Sequence, residues 1–236
     1  QRAIDLLKAF DYNCPEMSLT QLSQRTGLSL PTANRLLATL QREALVESSA
    51  ETGRYRLGVA CLHLGSIFLA RAELRTVALP VLEKLRQETR ETVHLGILDQ
   101  MEVVYLEKLE GLWPIALMGS RVGGRNPAYC TGVGKVMLSY EDPEKARSHF
   151  ARTGLQRYTP NTITDLAALL EELQCTKHRG YALDAEEHEM EVRCVAAPIR
   201  DHRGTIVAAL SISGPAVRMT ALIDRKIGRA SWRGRV

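Results

Sequence analysis

Leu19-Thr20-Gln21-Leu22-Ser23-Gln24-Arg25-Thr26-Gly27-Leu28-Ser29-Leu30-Pro31-Thr32-Ala33-Asn34-Arg35-Leu36-Leu37-Ala38-Thr39-Leu40 is the stretch on which the fold of the first domain turns. It holds two helical patterns broken at Gly27, and glycine takes the left-handed conformation that ends a helix without steric cost. Ser18 or Thr20 can cap the first helix and Ser29 the second, because a short side-chain oxygen accepts from a first-turn amide that has no helical partner. Pro31 falls in the first turn of the second helix, where a missing N–H does no harm. The spacing predicts that this helix turns Ala33, Leu36, Leu37 and Leu40 to one face and Pro31, Asn34, Arg35 and Ala38 to the other.

Upstream, Ala3, Leu6, Leu7 and Phe10 predict a helix over about 2–11, already under way where the chain opens. Downstream, Leu45-Val46-Glu47-Ser48 and Arg54-Tyr55-Arg56-Leu57 flank a polar turn containing Gly53 and read as a hairpin. Two short helices around a glycine turn can place the second in a DNA major groove while the first braces it. Thr32, Asn34 and Arg35 supply short or forked donors on the outer face, Arg suited to guanine and Asn to adenine. Arg54 and Arg56 on the hairpin can reach phosphates or the minor groove. Thr20, Gln21 and Thr39 complete the candidate DNA set. The competing reading is a three-helix structural cap with a solvated polar face.

Beyond the hairpin, residues 59–73 read as a linker helix, and Pro80 marks a junction or the early part of a second helix. Residues 74–224 mix strand patterns at 92–99, 102–109, 114–120, 192–200 and 205–213 with helical ones at 132–140, 142–151 and 164–178. Such a mixture implies an α+β or α/β domain of sensor size.

The composition of the 236 residues is ordinary: 45% apolar, 25% charged and 5% aromatic. No apolar run is long enough to cross a bilayer and no secretory signal opens the chain, so a cytoplasmic protein without membrane contact is expected. Five cysteines, odd and sparse, do not make a disulfide framework. The net charge of +4 is a property of the end of the chain: residues 225–236 carry +5, and the rest −1. That tail has no apolar period and resembles translated adapter DNA, so it reads as a non-native appendage; the alternative is a basic nucleic-acid-binding arm.

Several polar groups in the second half suit a small acid. Gly132 and Gly134 precede an apolar helix, and a helix start offers free amides to a carboxylate, although a plain helix-start turn explains the glycines as well. Ser211 and Ser213 alternate onto one side of a strand, which makes them a solvated face or the floor of a polar pocket. Cys194 near His188 or His178 invites a thiol nucleophile, and hence a Cys-dependent hydrolase. The paired Cys or His spacing of a zinc site does not occur, and no metal or cofactor is expected. A buried cysteine within an apolar strand accounts for Cys194 equally simply.

Leu19 to Leu28, Thr32 to Leu40 and Tyr55-Arg56-Leu57-Gly58 resemble the winged helix-turn-helix of IclR-type transcriptional regulators. Gly180-Tyr181-Ala182-Leu183-Asp184-Ala185-Glu186-Glu187-His188, Arg193-Cys194 and Ser211-Ile212-Ser213-Gly214-Pro215 resemble the GAF-like effector domain of the same family. The resemblance implies a winged helix-turn-helix over 1–58, a linker helix over 59–73 and a GAF-like α/β sensor over 74–224. It implies a non-enzymatic transcriptional regulator, a repressor or an activator, that binds a pseudo-palindromic double-stranded operator as a homodimer, with a tetramer also open. Its effector would be a small carboxylate: a 2-oxo, hydroxy or sugar acid. By matching position, the amides of Gly132 and Val133 would hold the carboxylate. Asp184, Cys194, Ser211 and Ser213 would surround the rest, with Ile115, Met118 and Val192 as apolar walls. Asp184 is expected to accept from a ligand hydroxyl or to hold the helix-start loop, because two carboxylates in contact repel. Regulators of this type often carry Lys-Ser ahead of the Thr matched by Thr32, where this chain has Leu30-Pro31.

Overall fold

The structure, a computed structural model, describes residues 1–71, 73–112 and 119–226. It divides into two compact units, Gln1–Ala72 and Glu73–Val236.

In the first unit α1 (Arg2–Lys8), α2 (Leu19–Thr26) and α3 (Leu30–Arg42) enclose a core of Leu6, Leu22, Ala33, Leu37 and Leu40. Leu36 is only half-buried. Ser18 is the cap of α2, in a reciprocal box with Gln21, and Gly27 ends that helix at φ 68°. The hairpin strands are β2 (Val46–Ser48) and β3 (Tyr55–Leu57). A third strand, β1 (Glu16–Met17), pairs with β3 on its free side, giving the order β1-β3-β2. The first helix stops at Lys8, short of the expected residue 11. Ser29 precedes α3, but its hydroxyl bonds the Thr32 hydroxyl at 2.9 Å and makes no bond to a backbone amide. The unit closes with α4 (Val59–Arg71).

The second unit opens with α5 (Glu73–Thr89), and Pro80 lies inside it at an exposed position. Six strands follow: β4 (Thr92–Asp99), β5 (Glu102–Leu109), β6 (Arg125–Pro127), β7 (Ala182–Ala185), β8 (Val192–Arg200) and β9 (Ile206–Pro215). They form one sheet in the order β6-β5-β4-β9-β8-β7, antiparallel at every pairing. Helices and an antiparallel sheet thus mix in one α+β domain. A one-turn 3-10 helix at Ala128–Cys130 leads into α6 (Gly132–Ser139), followed by α7 (Pro143–Thr153) and α8 (Leu166–Arg179). The helix α9 (Ala216–Lys226) follows β9 directly and runs two residues into the basic tail.

The sheet has a helical layer on each face. Val136, Leu169, Leu173 and Phe150 pack with Val103 and Ala209 on one face; Leu82, Leu85 and Met219 pack with Val93, Leu95 and Ile212 on the other. The strand expected over 114–120 lies mostly outside the described residues, and Gly119 and Ser120 are not in a strand. The tail from residue 227 onward also lies outside them. Among the described residues no helix is long and apolar enough to cross a membrane.

Candidate nucleic-acid interface and effector pocket

The sequence-predicted DNA residues separate into two groups. Asn34 and Arg35 on α3 and Thr20 on α2 are exposed, with no hydrogen bond or ion pair to their side chains among the described residues. Thr32 is half-buried beside Ser29, and the Thr39 hydroxyl donates back to the Arg35 carbonyl at 3.2 Å. The other three are engaged within the protein. The Gln21 side-chain oxygen accepts from the Ser18 amide at 2.9 Å and from Arg54 Nη2 at 3.1 Å. Arg54 Nη2 also donates to the Glu16 carbonyl at 3.0 Å, and Arg56 pairs with Glu47 and Glu16. Arg54 thus ties the β2–β3 wing to β1 and α2.

In the second unit, pairing register puts the candidate effector residues on one face. Asp184 stands opposite Cys194, Cys194 opposite Ser213, and Ser211 opposite His94. Directly opposed residues of antiparallel strands project to the same side. The start of α6 lies over this polar row, so Gly132, Val133, Asp184, Val192, Cys194, Ser211 and Ser213 all line one cavity. Ile115 and Met118 lie outside the described residues. The first-turn amides of a helix have no intrahelical acceptor, and Gly132 and Val133, which line the cavity, are the first two residues of α6. Gly134 is required for another reason: a Cβ there would sit 2.2 Å from the Ala128 carbonyl oxygen, where the 3-10 helix crosses α6.

Sequence reasoning missed His94, Tyr105, Ser120, Asn126 and Glu189 in the same wall, and weighed His188, also there, only as a base for Cys194. His94 is 3% exposed; its Nε2 lies 2.8 Å from the Ser120 hydroxyl, and its Nδ1 lies 3.3 and 3.4 Å from those of Ser211 and Ser213. The alternation Thr92, His94, Gly96 was the available signal, because it places a titratable ring on the inner face of β4.

Burial controls the protonation of this wall. It lowers His94 to about 3, helped by the positive charge of Lys108, so the ring is neutral. It raises Asp184 to about 7, offset in part by the Glu187 amide donating to its carboxylate. It raises the Cys194 thiol well above its usual value, the opposite of what an activated nucleophile needs. The pocket therefore presents a neutral thiol, a neutral imidazole and an acid that is substantially protonated at neutral pH. Among the described residues no three His, Cys, Asp or Glu side chains are placed to hold a metal ion.

Beneath the pocket, Lys135 is 1% exposed and donates to Glu187 at 2.5 Å, with Glu172 at 3.4 Å and Arg179 on Glu172 at 2.6 Å. Glu187 Oε2 is buried with no partner. This cluster fastens the turn after β7, which carries Asp184, to α6. On the opposite face of the sheet an apolar cavity of about 90 Å3 lies among Leu85, Val195, Leu210, Ile212 and Leu222.

Comparison with known proteins joins the two halves. The family model described as the IclR helix-turn-helix domain matches residues 1–50, and that of the bacterial transcriptional regulator IclR C-terminal domain matches residues 67–227. The HTH-type transcriptional regulator XynR of Escherichia coli is 37% identical over 213 residues, covering 90% of this chain and 84% of XynR. The crystal structure of Thermotoga maritima IclR superposes with a TM-score of 0.67 at 32% identity, covering 94% of this chain and 91% of that one. An IclR homolog from Microbacterium hydrocarbonoxydans, complexed with 4-hydroxybenzoate, superposes with a TM-score of 0.78 at 28% identity, covering 96% and 95%. These relatives are regulators of transcription, not enzymes.

Proposed function

Because the chain belongs to the IclR family of bacterial transcriptional regulators, we propose that it controls its operator in response to a small organic acid. The class is a 2-oxo, hydroxy or sugar acid, held by the start of α6. The observation that supports this reading is that Gly132 and Val133, at the start of α6, line one cavity together with Ser211 and Ser213. Amides at a helix start favour an anion, and hydroxyls favour a neighbouring oxygen. Protonated Asp184 removes the expected repulsion, since a neutral acid can donate to a carboxylate instead of opposing it. The 4-hydroxybenzoate of the Microbacterium relative is itself a carboxylate bearing a hydroxyl.

On the DNA side, Asn34 and Arg35 read bases, with Thr20, Thr32 and Thr39 beside them, while Arg56 approaches phosphate and Arg54 with Gln21 holds the wing. The protein acts in the cytoplasm as a homodimer on a two-fold operator. Support for a second copy comes from α4, where Val59, Leu62, Leu64, Ile67 and Phe68 are all more than 45% exposed in the single chain. An effector couples to DNA only through different affinities for the two dimer arrangements.

The test is calorimetry of the full chain against a panel of such acids, followed by gel shift with and without the best binder. Ser211→Ala is expected to cost about 0.5–1.5 kcal/mol of ligand binding and to leave ligand-free DNA binding intact. If no acid binds more tightly than millimolar, the effector reading fails and the regulator takes its signal elsewhere.

A further inference from the structure

Of the two imidazoles in the wall of the effector pocket, His94 is the buried one that touches both candidate effector serines. A neutral imidazole has one N–H and one lone pair, and here each ring nitrogen faces a hydroxyl. On one side stands Ser120, 2.8 Å from Nε2; on the other stand Ser211 and Ser213, nearly equidistant from Nδ1 at 3.3 and 3.4 Å. The near equality fits one N–H shared between two oxygens. A serine proton donated to the single in-plane lone pair of Nδ1 would draw one hydroxyl in and leave the other out.

Charge selects the same arrangement. Lys108, across the ladder from His94, donates to the Ser120 carbonyl at 2.9 Å and so places its positive charge on the Nε2 side. A cation favours the lone pair, not the N–H, on the nitrogen nearer to it. With the proton on Nδ1, Ser211 and Ser213 both act as acceptors toward the ring, and neither spends its own proton there; that of Ser213 reaches the Cys194 sulfur as well as the pocket.

We propose that His94 is the specificity-determining residue of this site: with its proton on Nδ1, it makes Ser211 and Ser213 donors toward the ligand. The pocket then takes an acid with a carbonyl or other acceptor oxygen beside its carboxylate in preference to the matching hydroxy acid. The proposal rests on the effector reading above and narrows it. A hydroxy acid must also place its own proton: given to a serine, it turns that serine around and moves the His94 proton to Nε2 against Lys108; given to Asp184, it competes with the proton that this buried acid already holds near neutrality.

The experiment uses the full chain labelled with 15N-histidine. A long-range proton–nitrogen spectrum, with His94→Asn assigning the resonance, is expected to show a neutral ring protonated on Nδ1. Calorimetry then compares pyruvate with both lactates, 2-oxobutyrate with both 2-hydroxybutyrates, and 2-oxogluconate with gluconate. The 2-oxo member of each pair that binds is expected to be tighter by about five- to tenfold. In His94→Phe, which keeps a ring against Tyr105, the preference is expected to shrink to about twofold or less. An Nε2-protonated ring in the free protein overturns the proposal. So does equal binding of both members by the wild type, which would leave the effector reading standing. Failure of every acid to bind brings down that reading and the preference with it. Should His94→Phe not fold, the wild-type spectrum and the wild-type preference decide the matter.

Discussion

Arg54 on the wing and Gln21 on α2 are joined by a hydrogen bond of 3.1 Å, from a guanidinium nitrogen to a side-chain oxygen that also closes the α2 capping box. The contact links two elements that each lack a core of their own, since β2 and β3 are three residues long and α2 only eight. Arg54→Ala is expected to lower the stability of the first unit by about 1 kcal/mol. It should weaken operator binding alike for all sequences, through a loosened wing. Thermal unfolding beside gel shift checks this; an unchanged melting temperature with weaker binding would make Arg54 a plain phosphate contact.

Arg35 is exposed on α3 and has no partner within the described residues, so its loss should leave the fold alone. Arg35→Ala is expected to cost about 1–3 kcal/mol of operator affinity and to relax discrimination at one base pair. A gel-shift series over operator variants reads both effects. Retained discrimination would move base reading to Asn34 and Thr32.

Two buried groups in the pocket push stability with pH in opposite directions. Asp184 is raised from 3.8 to about 7, so between those values the native state holds a proton the unfolded chain has released. Stability from this group falls as pH rises through the window. His94 is lowered from 6.5 to about 3, so the unfolded chain binds a proton the native state refuses, and stability rises with pH across that interval. The two slopes oppose each other between about 4 and 6.5. Urea unfolding at a series of pH values should show a steeper rise in Asp184→Asn than in the wild type, and a shallower one in His94→Phe. Three parallel curves would mean that neither group is perturbed.

The same Asp184 makes acid binding depend on pH. As it ionises above about 7, an anion at the start of α6 meets a negative charge, and affinity should decline by up to about tenfold per pH unit. Calorimetry above and below neutrality, with Asp184→Asn as the flat reference, measures this.

Lys135 illustrates a buried charge whose removal is worse than its absence in pairs. Lys135→Met leaves Glu187 buried and unpaired and is expected to destabilise by about 3–5 kcal/mol. Adding Glu187→Gln should recover much of that loss, because no buried charge then remains on that residue. Denaturant midpoints of the two variants decide it.

The first unit was legible wherever a period was long enough to read. The apolar spacing of α3 and the Gly27 break gave the motif, but β1 has two residues and no period, so the third strand of the wing was invisible. In the second unit, strands β4, β5, β8 and β9 announced themselves by their apolar content, while β6 and β7, at three and four residues, did not. Ser211 and Ser213 were visible as an alternation, but their partner His94 lies more than a hundred residues away, and only the β4–β9 pairing brings it opposite Ser211. Nothing in the sequence singled out Lys135. Its burial follows from the α8 and β7 contacts that no local pattern encodes.

Strand β9 is a partition with a different room on each side. Ser211 and Ser213 face the polar pocket, while Leu210 and Ile212 border the apolar cavity between the sheet and helices α5 and α9. Close-packed interiors resist displacement because every neighbour must move, but behind this wall some of the neighbours are missing. A ligand that pushes on the serines leans on a wall with slack behind it. The first side chains to feel the push are Leu85 and Leu222, carried by helices and not by the sheet.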